Sequence, residues 1–141
     1  MDAVFLVGRV PFAFVFVFSG GTVHLLHARQ GIQYAKMYRA PLAEIGVPLT
    51  GVAAVAGGLM VAFGVWGDLG ALLIAGFLLL ITPFMHAFWR EEDAMQKQAQ
   101  TVNFVKNFAL FGGALALFYL WNQLQGDAGL SITDPLFSRA G

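Results

Sequence analysis

The chain has 141 residues, 58% of them hydrophobic and 11% charged, with 8 basic and 8 acidic side chains and a mean hydropathy of +0.71. Soluble domains average about 25% charged residues, and one of this size would not cover so much apolar surface with water-compatible groups. Zero net charge supplies no basic field for nucleic acid, and the absence of cysteine excludes disulfides, thiolate metal sites and cysteine nucleophiles.

The N-terminal stretch MDAVFLVGRVPFAF has neither a basic start nor a small-residue cleavage site behind its apolar run. It is therefore expected to be a retained helix and not a removed leader. Crossing the hydrocarbon takes about 20 mostly apolar residues. The first segment that qualifies runs from about Ala3 to Leu26, with one charge, Arg9. Its apolar run is continuous where a barrel strand would alternate, so helix is expected over strand.

A polar, Gly/Pro-punctuated loop of roughly twenty residues should follow, HARQGIQYAKMYRAPLAEIGVP. Two uncharged segments come next, about Ile45 to Trp66 and Leu69 to Trp89, joined at Gly67 to Gly70 by a turn tight enough to make them antiparallel neighbours. The stretch REEDAMQKQAQT reads as an amphipathic stub or an extension of the third helix. A fourth span is expected from about Val102 to Asn122, with Lys106 near its start. The expected fold is all-α: an integral membrane four-helix bundle over residues 1–125, then a polar tail over 126–141 that is disordered or held by a partner. Small residues at close-packing spacing, Ala53 with Gly57, Ala54 with Gly58, Ala71 with Ala75 and Gly112 with Ala116, fit packing within the bundle.

Basic residues near helix ends set orientation. Arg29, Lys36, Arg39, Arg90 and Lys97 all fall in the first and third loops. Those loops are expected in the cytoplasm and both termini outside, in a bacterial inner membrane.

Ionisable groups inside a span need partners, since a charge at helix centre costs about 2.5–3.5 kcal/mol on insertion scales. Arg9 and Asp68 lie at the same end of the bundle, so the pair is expected as a structural ion pair, the alternative being that Arg9 snorkels to the interface. At the other end, His86 and Lys106 fall at similar depth on antiparallel helices, with His24 and His27 closing the first helix there. Asn107, Thr82 and Trp89 add polar atoms, and together they suggest a polar pocket open to the cytoplasmic side. Three histidines without an accompanying carboxylate motif argue against a metal or haem site, and no nucleotide loop or triad spacing occurs.

The ordered set GRVPFAFVFVFSG (Gly8 to Gly20), GVP (Gly46 to Pro48), AVAGGLMVAFGVWGDLGAL (Ala54 to Leu72), PFMHAFW (Pro83 to Trp89) and FVKNFALFGGAL (Phe104 to Leu115) resembles the DoxX family of small membrane proteins. The likeness covers about residues 7 to 120. It implies a four-helix membrane fold and an association with redox chemistry, as small subunits of thiosulfate:quinone oxidoreductase or of oxidative-stress assemblies. Carried over by position, its motif residues are Arg9, Ser19, Gly20, His86, Trp89, Lys106 and Asn107. Members often carry a lysine soon after the SG of the first helix. Here that stretch reads GTVHLLH, with His24 and His27 instead.

Two functions are expected about equally. In one, the protein is a quinone-linked redox subunit, with His86, Lys106, Asn107, His24 and Trp89 around the quinone head and a partner supplying electron transfer. In the other, it is a non-catalytic accessory subunit bracing a larger membrane complex. A small channel or transporter fits less well, because four helices leave little room for a pore. No intrinsic cofactor beyond a quinone is expected, and the partners expected are the bilayer and other membrane subunits.

Overall fold

The computed structural model describes residues 2–124 and 129–137. Four helices are long and apolar enough to cross a bilayer. Helix α1 (Asp2–Ser19) continues as a π-helical segment (Gly20–Leu26), and α2 (Ala28–Met37) follows. The remaining helices are α3 (Ala43–Phe63), α4 (Gly67–Met85) and α5 (Ala94–Leu124). The expected all-α membrane bundle is what forms. Helices α1, α3, α4 and α5 run alternately up and down, each packed on the next. Aromatic side chains close the gap between α5 and α1: Phe5 meets Trp121 edge-on at 5.2 Å, and Phe12 reaches Gly113.

Small residues set how closely α3 approaches its neighbours. At Gly58 an added Cβ would lie 2.7 Å from Val17 and 3.0 Å from the Ala13 carbonyl, so this glycine lets α1 and α3 touch backbone to backbone. Gly57 and Gly70 face each other across α3 and α4 in the same way. In lipid, apolar side chains gain little by associating with one another, and close backbone packing supplies much of the attraction. The large side chains fill the centre: Phe16, Ile74, Val61 and Trp121 are fully buried.

The connections differ from expectation in three places. The first loop is not irregular but contains α2, which lays Gly31 and Ala35 against the bundle and leaves Arg29, Gln33 and Lys36 outside. Gly31 makes this possible, since a Cβ there would meet the Val23 carbonyl and Val47 at 3.1 Å. The turn between α3 and α4 lies earlier than Gly67. Gly64, at φ +66, ends α3 in the left-handed conformation that glycine adopts without strain, and Gly67 to Gly70 become the first turn of α4. From Ala94 on, the stretch after Trp89 belongs to α5 and not to the helix before it, and the Asp93 carboxylate caps the Gln96 N–H at 2.9 Å. At 31 residues, α5 is about 46 Å long, so its first turns stand clear of the hydrocarbon.

Residues 129–137 of the tail are held by the bundle itself. The Gly64 carbonyl accepts from the Ile132 and Thr133 N–H groups at 3.0 and 3.1 Å, and the Trp66 N–H donates to Thr133 Oγ1 at 2.8 Å. Residues 126–128 and 138–141 of the expected tail lie outside the described residues.

Candidate functional site

At the tail end, Arg9 and Asp68 are 1% and 0% exposed, and both engage the tail. Arg9 donates to Ser131 Oγ at 2.9 Å and to the Leu130 carbonyl at 2.6 Å, and its guanidinium lies over the Phe5 and Trp121 rings. Asp68 Oδ2 accepts from the Phe137 N–H at 2.7 Å. The expected ion pair between Arg9 and Asp68 does not form. Among the described residues the one ion pair is Lys36–Glu44, on the surface at 2.6 Å. The tail supplies the partners instead, the Ser131 hydroxyl and Leu130 carbonyl to Arg9 and the Phe137 N–H to Asp68. Arg9 therefore does not snorkel either, as it is sealed in.

The opposite end holds the histidines. The π-helical segment there begins at Gly20-Gly21, where Thr22 Oγ1 bonds back to the Phe18 carbonyl at 2.6 Å. Such a hydroxyl competes with the helical ladder, and π segments take i→i+5 bonds, of which His27 N–H to the Thr22 carbonyl at 2.9 Å is one. The widened turns seat Gly20 and the Cβ of His24 against Gly51, and swing the His24 ring over α3 and α4. That ring meets Phe77 edge-on at 5.4 Å, with Nδ1 3.3 Å from the Val47 carbonyl.

His24 and His86 do come together. Both line one cavity of about 470 Å³, along with His27, Gln30, Tyr34 and Met85. A second cavity of about 330 Å³ adjoins it and shares His24, Val47, Ile81 and Met85; it is walled largely by apolar groups such as Leu49, Leu80 and Phe84.

The other expected pocket residues lie elsewhere. Lys106 is exposed, and its Nζ donates to Asn103 Oδ1 at 3.1 Å. Asn107 is buried and donates to Thr82 Oγ1 at 3.2 Å, beside a separate small cleft between α4 and α5. Trp89 is half-exposed and packs edge-on against Phe88 and Phe104, as an interfacial aromatic does. The reason is helical phase. α4 ends at Met85 and a 3₁₀ turn follows at Phe88–Arg90, and there the His86 ring bonds Gln100 on the first turns of α5, while Lys106 bonds Asn103.

Four residues missing from the expected site complete it. Gln100 is 5% exposed and forms the hub. Its Oε1 lies 2.8 Å from His86 Nδ1, and its Nε2 donates to the Tyr34 and Tyr38 hydroxyls at 2.8 and 3.0 Å. Tyr38 in turn donates to Glu91 Oε1 at 2.7 Å. Burial above all, and then the neighbouring Glu91 and Tyr34, push the Tyr38 phenol well above the ordinary tyrosine range, so it stays protonated. The four-residue spacing of Tyr34 and Tyr38 was a signal for one face of a helix, had α2 been expected. Gln100, within a QKQAQ run, carried none. Among the described residues no group of three or more histidines and carboxylates is placed to hold a metal ion.

Fold and site thus define a small four-span membrane protein with a histidine-lined cavity at one end. In comparison with known proteins, the chain matches no family model, no curated protein and no solved structure.

Proposed function

We propose that this protein is a small membrane subunit that holds a lipid-soluble, quinone-type ring beside a redox partner. The observation that carries the proposal is the pairing of two cavities through shared walls. A ring compound with an isoprenoid tail needs an apolar channel ending in a few polar groups, within a volume of about 300–1,000 Å³. Here the histidine-lined cavity offers polar groups to the ring, and the adjoining apolar one suits the tail. The resemblance to the DoxX family points the same way, and we include membership of that family in the proposal. Electron transfer itself would come from the partner, because the role of His24, His27, His86 and Tyr34 is to bind and orient the ring. The end bearing Arg29, Lys36, Arg39, Arg90 and Lys97 faces the cytoplasm of a bacterial cell under this proposal, in keeping with the positive-inside rule.

Photo-crosslinking tests the proposal. The purified protein in lipid nanodiscs is exposed to a short-chain azidoquinone, and labelled peptides are mapped. Label confined to residues near His24, Tyr34 and His86, and displaced by excess unlabelled quinone, is the expected result. Undisplaced label spread over lipid-facing positions such as Val105 and Phe108 overturns it.

A second reading, an accessory subunit, is favoured by the polar outer side of α2 with Arg29, Gln33 and Lys36, which offers a docking surface beyond the membrane. Purification from native membranes in mild detergent tests this. A stoichiometric partner lost on charge reversal at Arg29 and Lys36 supports it, and isolation of the protein alone counts against it.

A further inference from the structure

Hydrogen bonds traced from the surface inward fix which ring nitrogens carry protons at the cavity. The Glu91 carboxylate accepts only, so the Tyr38 hydroxyl proton points at it. The Tyr38 oxygen is then an acceptor and takes an N–H from Gln100 Nε2. An amide turned that way presents Oε1 to His86 Nδ1, and an amide oxygen also only accepts. His86 therefore carries its proton on Nδ1.

The same holds for the other two histidines. His24 Nδ1 faces the Val47 carbonyl at 3.3 Å, and His27 Nδ1 faces the Thr22 carbonyl at 2.9 Å. Thr50 Oγ1 is also near His24 Nδ1 at 3.4 Å, but its proton is directed to the Gly46 carbonyl at 2.7 Å. In each neutral ring the remaining nitrogen, Nε2, is an acceptor. All three rings line the same cavity. Tyr34, which accepts from Gln100, brings a hydroxyl to the same cavity.

We propose that this cavity recognises its ligand through hydroxyl donors, taking a lipophilic hydroquinone or phenol in preference to the corresponding quinone. The inference rests on the ring-binding proposal above and goes beyond it by naming the oxidation state. A quinone carbonyl only accepts. Against the imidazoles it would set acceptor against acceptor, with only Tyr34 and the Gln30 amide as side-chain donors. A hydroquinone donates to the imidazole Nε2 atoms and still accepts from Tyr34. Sites built to hydrogen-bond a hydroxyl disfavour analogues lacking it, and the half-buried rings of His24 and His86 carry that discrimination, since an unpaired polar atom costs more the less water reaches it.

The test measures binding of a short-chain 1,4-hydroquinone, handled without oxygen, and of its quinone, to the full-length protein in nanodiscs. At about pH 8 ordinary imidazoles are neutral. The hydroquinone is expected to bind at least tenfold more tightly, on the order of a 30 mV rise in the midpoint potential of the bound two-electron couple. His86→Leu should shrink the preference, and His86→Gln, which keeps an acceptor, should retain more of it. Nitrogen NMR of the protein labelled at histidine needs no variant. Its unprotonated Nε2 signals should move on adding hydroquinone and stay put with quinone. Equal affinities, a quinone preference, or rings protonated at Nε2 overturn the inference and leave the ring-binding proposal standing. Binding of neither compound overturns both.

Discussion

Substituting Gly57 with alanine should loosen the contact between α3 and α4. The added Cβ would lie 2.9 Å from the Gly70 carbonyl oxygen and 3.1 Å from Ile74 and Leu73. The nearest obstacle is backbone, which has no rotamer to change. Restoring ordinary contact at 3.4 Å requires the helices to part by about half an ångström along much of their crossing. Overpacking of this kind typically costs about 1–3 kcal/mol. Gly112 is the matched control: it sits in a helix too, it is exposed, and a Cβ there meets nothing within 4 Å. Reversible unfolding in mixed micelles, followed by circular dichroism, should show Gly57→Ala destabilised by that amount and Gly112→Ala unchanged or slightly stabilised through helix propensity. Equal effects at the two sites would refute the argument that glycine sets this helix spacing.

Ser131→Ala should remove a partner of the buried Arg9 guanidinium and cost about 1–3 kcal/mol, seen as faster proteolytic clipping of the tail; an unchanged clipping rate would mean the tail is held by other contacts. Lys106→Ala should leave ring-ligand affinity unchanged, because Lys106 is turned to Asn103 and does not line the cavity, whereas Gln100→Leu should weaken it by releasing His86. Asn107→Leu should cost little, about 0.6 kcal/mol by analogy with other hydrogen bonds between membrane helices, in the same unfolding assay. The raised Tyr38 ionisation means that the unfolded chain loses this proton first as pH climbs past about 10. The contribution of neutral Tyr38 to stability is therefore complete below that pH and is lost as pH rises toward the folded value. Comparison of wild type with Tyr38→Phe should show the wild type losing more stability above about pH 10, and parallel curves would contradict the placement of Tyr38.

By itself the sequence determined the class of molecule. Runs of about 20 apolar residues have one stable solution in lipid, the helix, because every backbone polar group must be satisfied within its own segment. That argument needs no neighbours, and the four spans follow from it. Small residues such as Gly57 and Gly58 likewise announced close helix contact. The histidine end of the bundle was legible for a related reason: polar groups at matching depth on antiparallel helices are a matter of counting residues. Which of those groups meet depends instead on helical rotation, and rotation here is set by local departures from the α-helix. The π segment after Ser19 aims His24, and the His86 ring, at the end of α4, takes Gln100 as its partner. Tertiary structure alone also decided the fate of the buried charges. Arg9 and Asp68 matched in depth and were opposite in sign, yet a tail more than 120 residues from Arg9 in sequence supplies hydrogen-bond partners to both. Nothing local in the chain encodes that return, because the partners come from a distant segment that meets these charges only where the helices have packed.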